Sequence, residues 1–152
     1  MTHTLEYAFT SVYTKFKLNF YQRVFQRLDA REATLTTMET FSVEIIHALD
    51  APTVSEFAKF VNISVANATY KVQSLIKKGY LRKERSEEDR RESHLYVTDR
   101  FYQYQNLSVS YMNLVISRIE QNCSADDVST FKRVLEKISS DLMPEIRLPQ
   151  QR

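Results

Sequence analysis

Apolar positions recur three or four residues apart through most of this chain, the spacing of a single helix face. Over residues 4–28 they form one stripe of Leu5, Phe9, Val12, Phe16, Phe20, Val24 and Leu28, which predicts a long amphipathic helix. Thr36 followed by Glu39 has the spacing of a capping box. It opens a second helix running to about Leu49, with Phe41, Ile45 and Leu49 as its expected core face. Pro52 blocks continuation. A second box, Thr53 with Glu56, opens a short helix expected to turn Phe57, Phe60 and Val61 inward. Asn62-Ile63 then makes a turn, and Ser64 caps a fourth helix. Over residues 93–98 the period falls to two, with Leu95 and Val97 on one face and His94, Tyr96 and Thr98 on the other. From about Asp99 to Gln121 the helical period returns, carrying Phe101, Tyr104, Tyr111, Leu114, Val115 and Ile119. Ser124 with Asp127 opens a last helix bearing Val128, Phe131, Leu135, Ile138 and Leu142, which Pro144 ends.

The change of period falls at Gly79, the single glycine of the chain. Glycine just past a helix end adopts positive φ and closes off the last carbonyls. Leu75 and Tyr80 have the spacing of the apolar contact that accompanies such a stop. Two short helices joined by a tight turn match a helix-turn-helix. A sharply stopped helix followed at once by a charged two-stranded ribbon adds a wing. The fold class is therefore mostly α with a small β-hairpin wing, a winged helix-turn-helix over residues 36–98 flanked by longer helices.

At 152 residues the chain is most simply one domain, with 43% hydrophobic and 26% charged residues. Residues 1–18 contain Glu6, Lys15 and Lys17 and lack an uninterrupted apolar run, so neither a signal peptide nor a membrane span is expected. The lone cysteine, Cys123, excludes an internal disulfide framework and fits a reducing, cytoplasmic setting. Net charge is only +2, but its distribution is uneven. Residues 64–91 hold eight basic and four acidic side chains, a local +4 that leaves about −2 for the remainder.

That basic segment has the layout of a surface for reading double-stranded DNA. On a helical wheel, Ala68, Val72, Leu75 and Ile76 form the packing face of the fourth helix. Ala66, Asn67, Tyr70, Gln73, Ser74 and Lys77 lie opposite, with Lys71 at the flank. A recognition helix enters the major groove by its N-terminal part, which selects Ala66, Asn67, Tyr70 and Lys71 for base edges. Asn pairs bidentately with adenine, Ala meets a thymine methyl, and Lys reaches guanine acceptors. Ser64, Ser74 and Tyr70 are the candidates for phosphate. In the ribbon, Arg85 and the tip residues Arg90 and Arg91 are the candidates for the backbone or the narrow minor groove. Asp89 is placed to orient one tip arginine through an ion pair. A solvated polar face and a merely soluble hairpin tip are the plainer alternatives.

Residues 64–83 (SVANATYKVQSLIKKGYLRK), with Asp89-Arg90-Arg91 and Leu95-Tyr96-Val97-Thr98, resemble the MarR family of bacterial transcriptional regulators. The family pattern here is a helix ending in Leu-x-x-Lys-Gly, a wing with Asp-x-Arg and a Leu-x-Leu-Thr exit strand. The resemblance covers about residues 36–101 and elsewhere rests on helix order. It implies an obligate homodimer joined through residues 4–35 and 99–145, and a ligand-responsive repressor on a pseudo-palindromic operator. It places the family's wing arginine on Arg90 or Arg91, with Arg91 at the Asp-x-Arg position. The chain departs from the pattern at Asp99-Arg100-Phe101, where many members carry a glycine. Its wing, residues 86–91 with His94-Leu95, is similar to that of the fatty-acid-synthesis repressors.

Other chemistry finds little support. Redox-sensing members carry their cysteine in the first helix, whereas Cys123 precedes the last. His3, His47 and His94 lack the clustered His, Glu and Cys of the zinc-sensing branch, so no metal is expected. No glycine-rich phosphate loop and no nucleophile–base pair is spaced for catalysis, and no enzyme activity or cofactor is expected. A small-molecule effector is expected, with aromatics of the first and fifth helices as candidate lining. The alternative function is a winged-helix protein-interaction module without specific DNA binding.

Overall fold

The computed structural model describes residues 3–29 and 35–149, including their side chains except at 27–29 and 106–108. The order is α1 (Leu5–Asp29), α2 (Thr37–Ala48), α3 (Val54–Val61), α4 (Val65–Lys77), β1 (Leu81–Arg85), β2 (Ser93–Val97), α5 (Asp99–Asn122) and α6 (Ala125–Lys137), which runs on into a π-helical turn, Ile138–Leu142. Local chemistry opens each of the short helices. Thr36 and Glu39, and likewise Thr53 and Glu56, form complete capping boxes, and Ser64 and Ser124 accept N–H groups at the starts of α4 and α6. Asn62 ends α3 in the left-handed region at φ 55°, which an Asn tolerates.

The chain divides into two compact units, residues 1–26 with 106–147 and residues 27–105 with 148–152. In the first, Phe16 meets Tyr111 edge-on at 5.7 Å between ring centroids. Most of its apolar surface is nevertheless bare: Leu5 is 86% exposed, Phe9 58% and Leu142 61%, and α6 buries no residue. Leu28, expected on the same stripe as Leu5 and Phe9, lies outside the described side chains. So do residues 30–34 of the expected 4–35 dimerisation segment.

The second unit has a closed core. Val43 and Ile46 of α2, Phe57 and Ala58 of α3, and Ala68, Val72 and Leu75 of α4 pack with Leu81, Leu95 and Phe101. Two expectations are corrected. Phe41 and Phe60 are exposed, and the core takes Val43, Ile46 and Ala58 in their place. The helix α2 is apolar on two sides, and the row Phe41–Ile45–Leu49 lies across from Val43. In the eight-residue α3, Phe60 falls on the flank of the Val54–Phe57–Ala58–Val61 face.

The wing pairs antiparallel from Leu81↔Val97 to Arg85↔Ser93. Its second strand is also tied on the far side. Leu95 N donates to Pro52 O at 2.8 Å, His94 Nδ1 lies 2.8 Å from Ala51 O, and Thr53 bridges His94. The turn that reaches it holds Asp50 and Ala51 at φ 52° and 59°, two successive left-handed residues. The stop of α4 is a Schellman motif around Gly79 at φ 81°. Tyr80 N bonds Leu75 O and Gly79 N bonds Ile76 O, each at 3.0 Å. A Cβ at Gly79 would meet Arg100 at ordinary contact distances of 3.7 and 3.8 Å, so a side chain there is opposed by the backbone and not by space. Gly79→Ala should therefore lower stability by about 1 kcal/mol, and Gly79→Asn by less. Urea unfolding should show a lower midpoint with an unchanged slope.

Candidate nucleic-acid interface

The helix α4 presents two unlike faces. Ala68, Val72 and Leu75 are buried, while Ala66, Asn67, Gln73 and Lys77 are exposed and Tyr70 stands 75% bare. Lys71 is half-buried at the flank. Ser64 Oγ accepts the N–H of Asn67 at 3.1 Å, which leaves its own proton to donate outward. The side chains expected to meet bases thus share the open N-terminal part of one helix.

Ser74 behaves differently from the expectation for it. Its hydroxyl turns inward and donates to Glu39 Oε1 at 2.6 Å, so its one proton is spent within the protein. Glu39 was visible in the sequence only as a capping residue. The other oxygen, Oε2, accepts the Thr36 backbone N–H and the Lys78 ammonium, both at 2.7 Å. Burial alone would raise this carboxyl, but the bonds from Lys78, Ser74 and Thr36 outweigh it and hold the group at about 2. Glu44, one turn on, is in the opposite condition. Burial pushes its pKa up, and its Oε1 has no hydrogen-bond partner among the described residues.

The wing tip is ordered by its own side chains. Ser86 Oγ accepts the N–H groups of Glu88 and Asp89 at 3.2 Å, and Ser86 N bonds Glu92 O. Asp89 is not used as expected: Oδ1 accepts the backbone N–H of Arg91 at 2.9 Å, and no ion pair joins it to Arg90 or Arg91 among the described residues. A carboxylate two residues before a free N–H closes an Asx-turn locally, ahead of any contact with a long guanidinium. Both arginines are exposed.

Because cross-strand pairs point to the same side, the ribbon sorts its cations. On one face Arg82 pairs with Glu84 and sits over Tyr96, 4.8 Å from the ring centroid. Lys83 and Arg85, on the other, are exposed and without an ion pair among the described residues. The Arg82 face looks onto a cleft of about 430 Å³ lined by His47, Asp50, Arg82, Tyr96, Asp99 and Tyr102. Burial holds His47 below the usual imidazole range, with Asp50 pulling the other way.

Where β2 passes into α5, two side chains tie the chain back to the end of α4. Thr98 Oγ1 donates to Gly79 O at 2.6 Å, and Arg100 Nη1 donates to Lys78 O at 2.7 Å while lying over Tyr80. Cys123 is exposed, and among the described residues no group of His, Cys, Asp and Glu could hold a metal. Among the described residues, no helix is long and apolar enough to cross a membrane.

The depressed carboxyl has a consequence for stability. Its folded value of about 2 lies below the ordinary 4.5, so its contribution is full above 4.5 and is lost as pH falls toward 2. Glu39→Gln should flatten that part of the acid limb, lowering stability at neutral pH and leaving it near the parent's at pH 2. Urea midpoints measured across the acid range check this.

Residues 35–93 match the family model described as MarR family. Solved structures share the fold across nearly the whole chain. A mutant of S. aureus MepR from a multidrug resistant clinical isolate aligns with a TM-score of 0.65 and 17% identity over 94% of this chain and 100% of that one. S. pneumoniae FabT in complex with DNA aligns at 0.62 and 20%, over 93% and 97%. S. aureus MepR bound to ethidium bromide aligns at 0.58 and 17%, over 93% and 98%. No curated protein matches the sequence significantly. Residues 35–93 thus carry a MarR-family match, and members of that family are transcription regulators and not enzymes.

Proposed function

We propose that this chain is a sequence-specific DNA-binding transcriptional regulator that works in the cytoplasm as a homodimeric, ligand-responsive repressor. The observation that carries the reading is the pairing of an open polar N-terminal face on α4 with an ordered, exposed arginine tip. Asn67 reads adenine, Ala66 and Tyr70 meet thymine methyls or stack beside them, and Lys71 reaches guanine. Ser64, Arg85, Arg90 and Arg91 hold the backbone or the minor groove. Ser74 is left out because Glu39 holds its proton. The FabT structure with DNA supports the mode of binding, and the MepR structure with ethidium supports ligand response. Within this chain, the cleft behind Arg82 and Tyr96 is where a small molecule could bear on the wing.

Dimerisation is proposed from the bare apolar stripes of α1 and α6, which a single chain leaves in water. Leu135→Glu should yield a monomer or an unfolded chain, read by sedimentation at micromolar concentration. A folded parent monomer in that measurement would count against the dimer.

Selection of duplexes from random DNA tests the function directly. The dimer should enrich a pseudo-palindrome with half-sites about 10 bp apart. On that duplex Asn67→Ala should cost about 1–3 kcal/mol and relax base preference. Replacing Arg90 and Arg91 together by Ala should weaken binding and reduce the salt slope by about one for each phosphate that is no longer neutralised, with helicity unchanged. If that variant binds as tightly as the parent across a salt series, the tip is decoration and the protein-interaction reading gains.

A further inference from the structure

We infer that Glu39 is a positioning residue for DNA reading: one half-buried carboxylate fixes the rotation and height of α4 against α2 through Ser74 and Lys78. The inference rests on the proposed reading of α4 as the recognition helix. Its geometry lies within the winged-helix unit. Oε1 takes Ser74 Oγ at 2.6 Å, Oε2 takes Lys78 Nζ at 2.7 Å, and the same Oε2 caps α2 through Thr36 N at 2.7 Å. The side chain of Glu39 is 12% exposed and that of Lys78 30%, so water has only partial access to the tie.

Along the body of α4 the remaining hold is apolar, and at its end Arg100 Nη1 bonds the backbone of Lys78. Ala68, Val72 and Leu75 anchor it to the core, but such contacts are non-directional and resist a small roll or slide poorly. Two polar bonds one turn apart on the helix resist both. With side chains reaching about 5–6 Å from the axis, a roll of about 20° carries a tip about 2 Å. That displacement is enough to break a hydrogen bond to a base edge. Phosphate contacts from flexible lysines and arginines tolerate it. Loss of the tie should therefore reduce discrimination between sequences and leave general affinity for DNA in place. Lys78, inside the basic segment, is on this account a structural cation and not a phosphate ligand.

The test uses the full chain as Glu39→Gln, Ser74→Ala, Lys78→Met and the Glu39→Gln/Lys78→Met pair. The probes are the duplex that the parent selects from random DNA and a scrambled duplex of the same length and composition. Gln at this position can still complete a capping box, and Ser74→Ala leaves both the cap and the ion pair in place. The expected result is about a tenfold loss on the selected duplex for Glu39→Gln and for Lys78→Met, and about threefold for Ser74→Ala. Affinity for the scrambled duplex and the salt slope should not change, and the pair should lose no more than either single change. Equal losses on both duplexes, with the slope for Lys78→Met reduced by about one, would overturn the inference and make Lys78 a phosphate contact. Unchanged affinity of all four variants for the selected duplex would equally overturn it and leave Glu39 a helix cap alone. A parent that enriches no duplex overturns the DNA-reading proposal and this inference with it. Loss confined to the variants keeps the two apart.

Discussion

Everything in the winged-helix unit depends on how the last carbonyls of α4 are satisfied. A helix end leaves four C=O groups without intrahelical partners, which the rest of the chain or water must satisfy. Here Leu75 O and Ile76 O are closed by the backbone around Gly79. Lys78 O at the cap, and Gly79 O just past it, accept from Arg100 and Thr98, which lie beyond the whole wing. The wing is therefore a loop whose two ends are stitched to one helix terminus. Thr98 N also bonds Tyr80 O, so the exit of β2 lies against the entry of β1. With β2 pinned on its other edge by Pro52 and Ala51, the ribbon has little freedom at its root. Its tip is held out as a rigid object by Ser86 and Asp89.

What could be read from the sequence was the part encoded within a few residues. Capping boxes at Thr36 and Thr53, the stop at Gly79 and the alternation of Leu95 and Val97 are i to i+3 or i to i+5 signals, and each is present in the structure. The errors come where a choice needs distant partners. Phe41 and Val43 are both apolar, and periodicity cannot say which side of α2 meets α4. Ser74 has the same chemistry pointing at phosphate or at Glu39, and the deciding carboxylate is 35 residues away. The docking of β2 on Pro52 was invisible for a different reason. It needs the left-handed pair Asp50-Ala51, and although Asp tolerates that region, Ala does not announce it.

The two units also differ in what one chain can finish. The winged-helix unit buries Val43, Ile46, Phe57, Leu75, Leu95 and Phe101 almost completely. In the other unit Phe9, Leu5 and Leu142 stay largely in water and α6 has no buried position. At about 25 cal/mol per Å² of apolar surface, such a stripe is a standing drive toward association. The helices read as amphipathic in sequence because the amphipathicity is real; what no single sequence states is how much of that apolar side stays bare among the described residues of one chain.

Charge completes the argument about the surface, because position matters more than the total. The segment from 64 to 91 carries eight cations, yet two are already engaged within the protein. Lys78 is held by Glu39, and Arg82 is held by Glu84 and the Tyr96 ring. Each such pairing removes a cation that composition alone would count toward DNA and gives it a structural task. Of the other six, Lys71 is half-buried on α4, Lys77 is exposed near its end, and Lys83, Arg85, Arg90 and Arg91 are exposed along the ribbon to its tip. Counterion release follows the cations that reach phosphate and not the formal charge of the segment. A nearly neutral chain can thus present a short, well-placed row of arginine and lysine to a duplex, while Glu39 of α2 engages Ser74 and Lys78 at the end of α4.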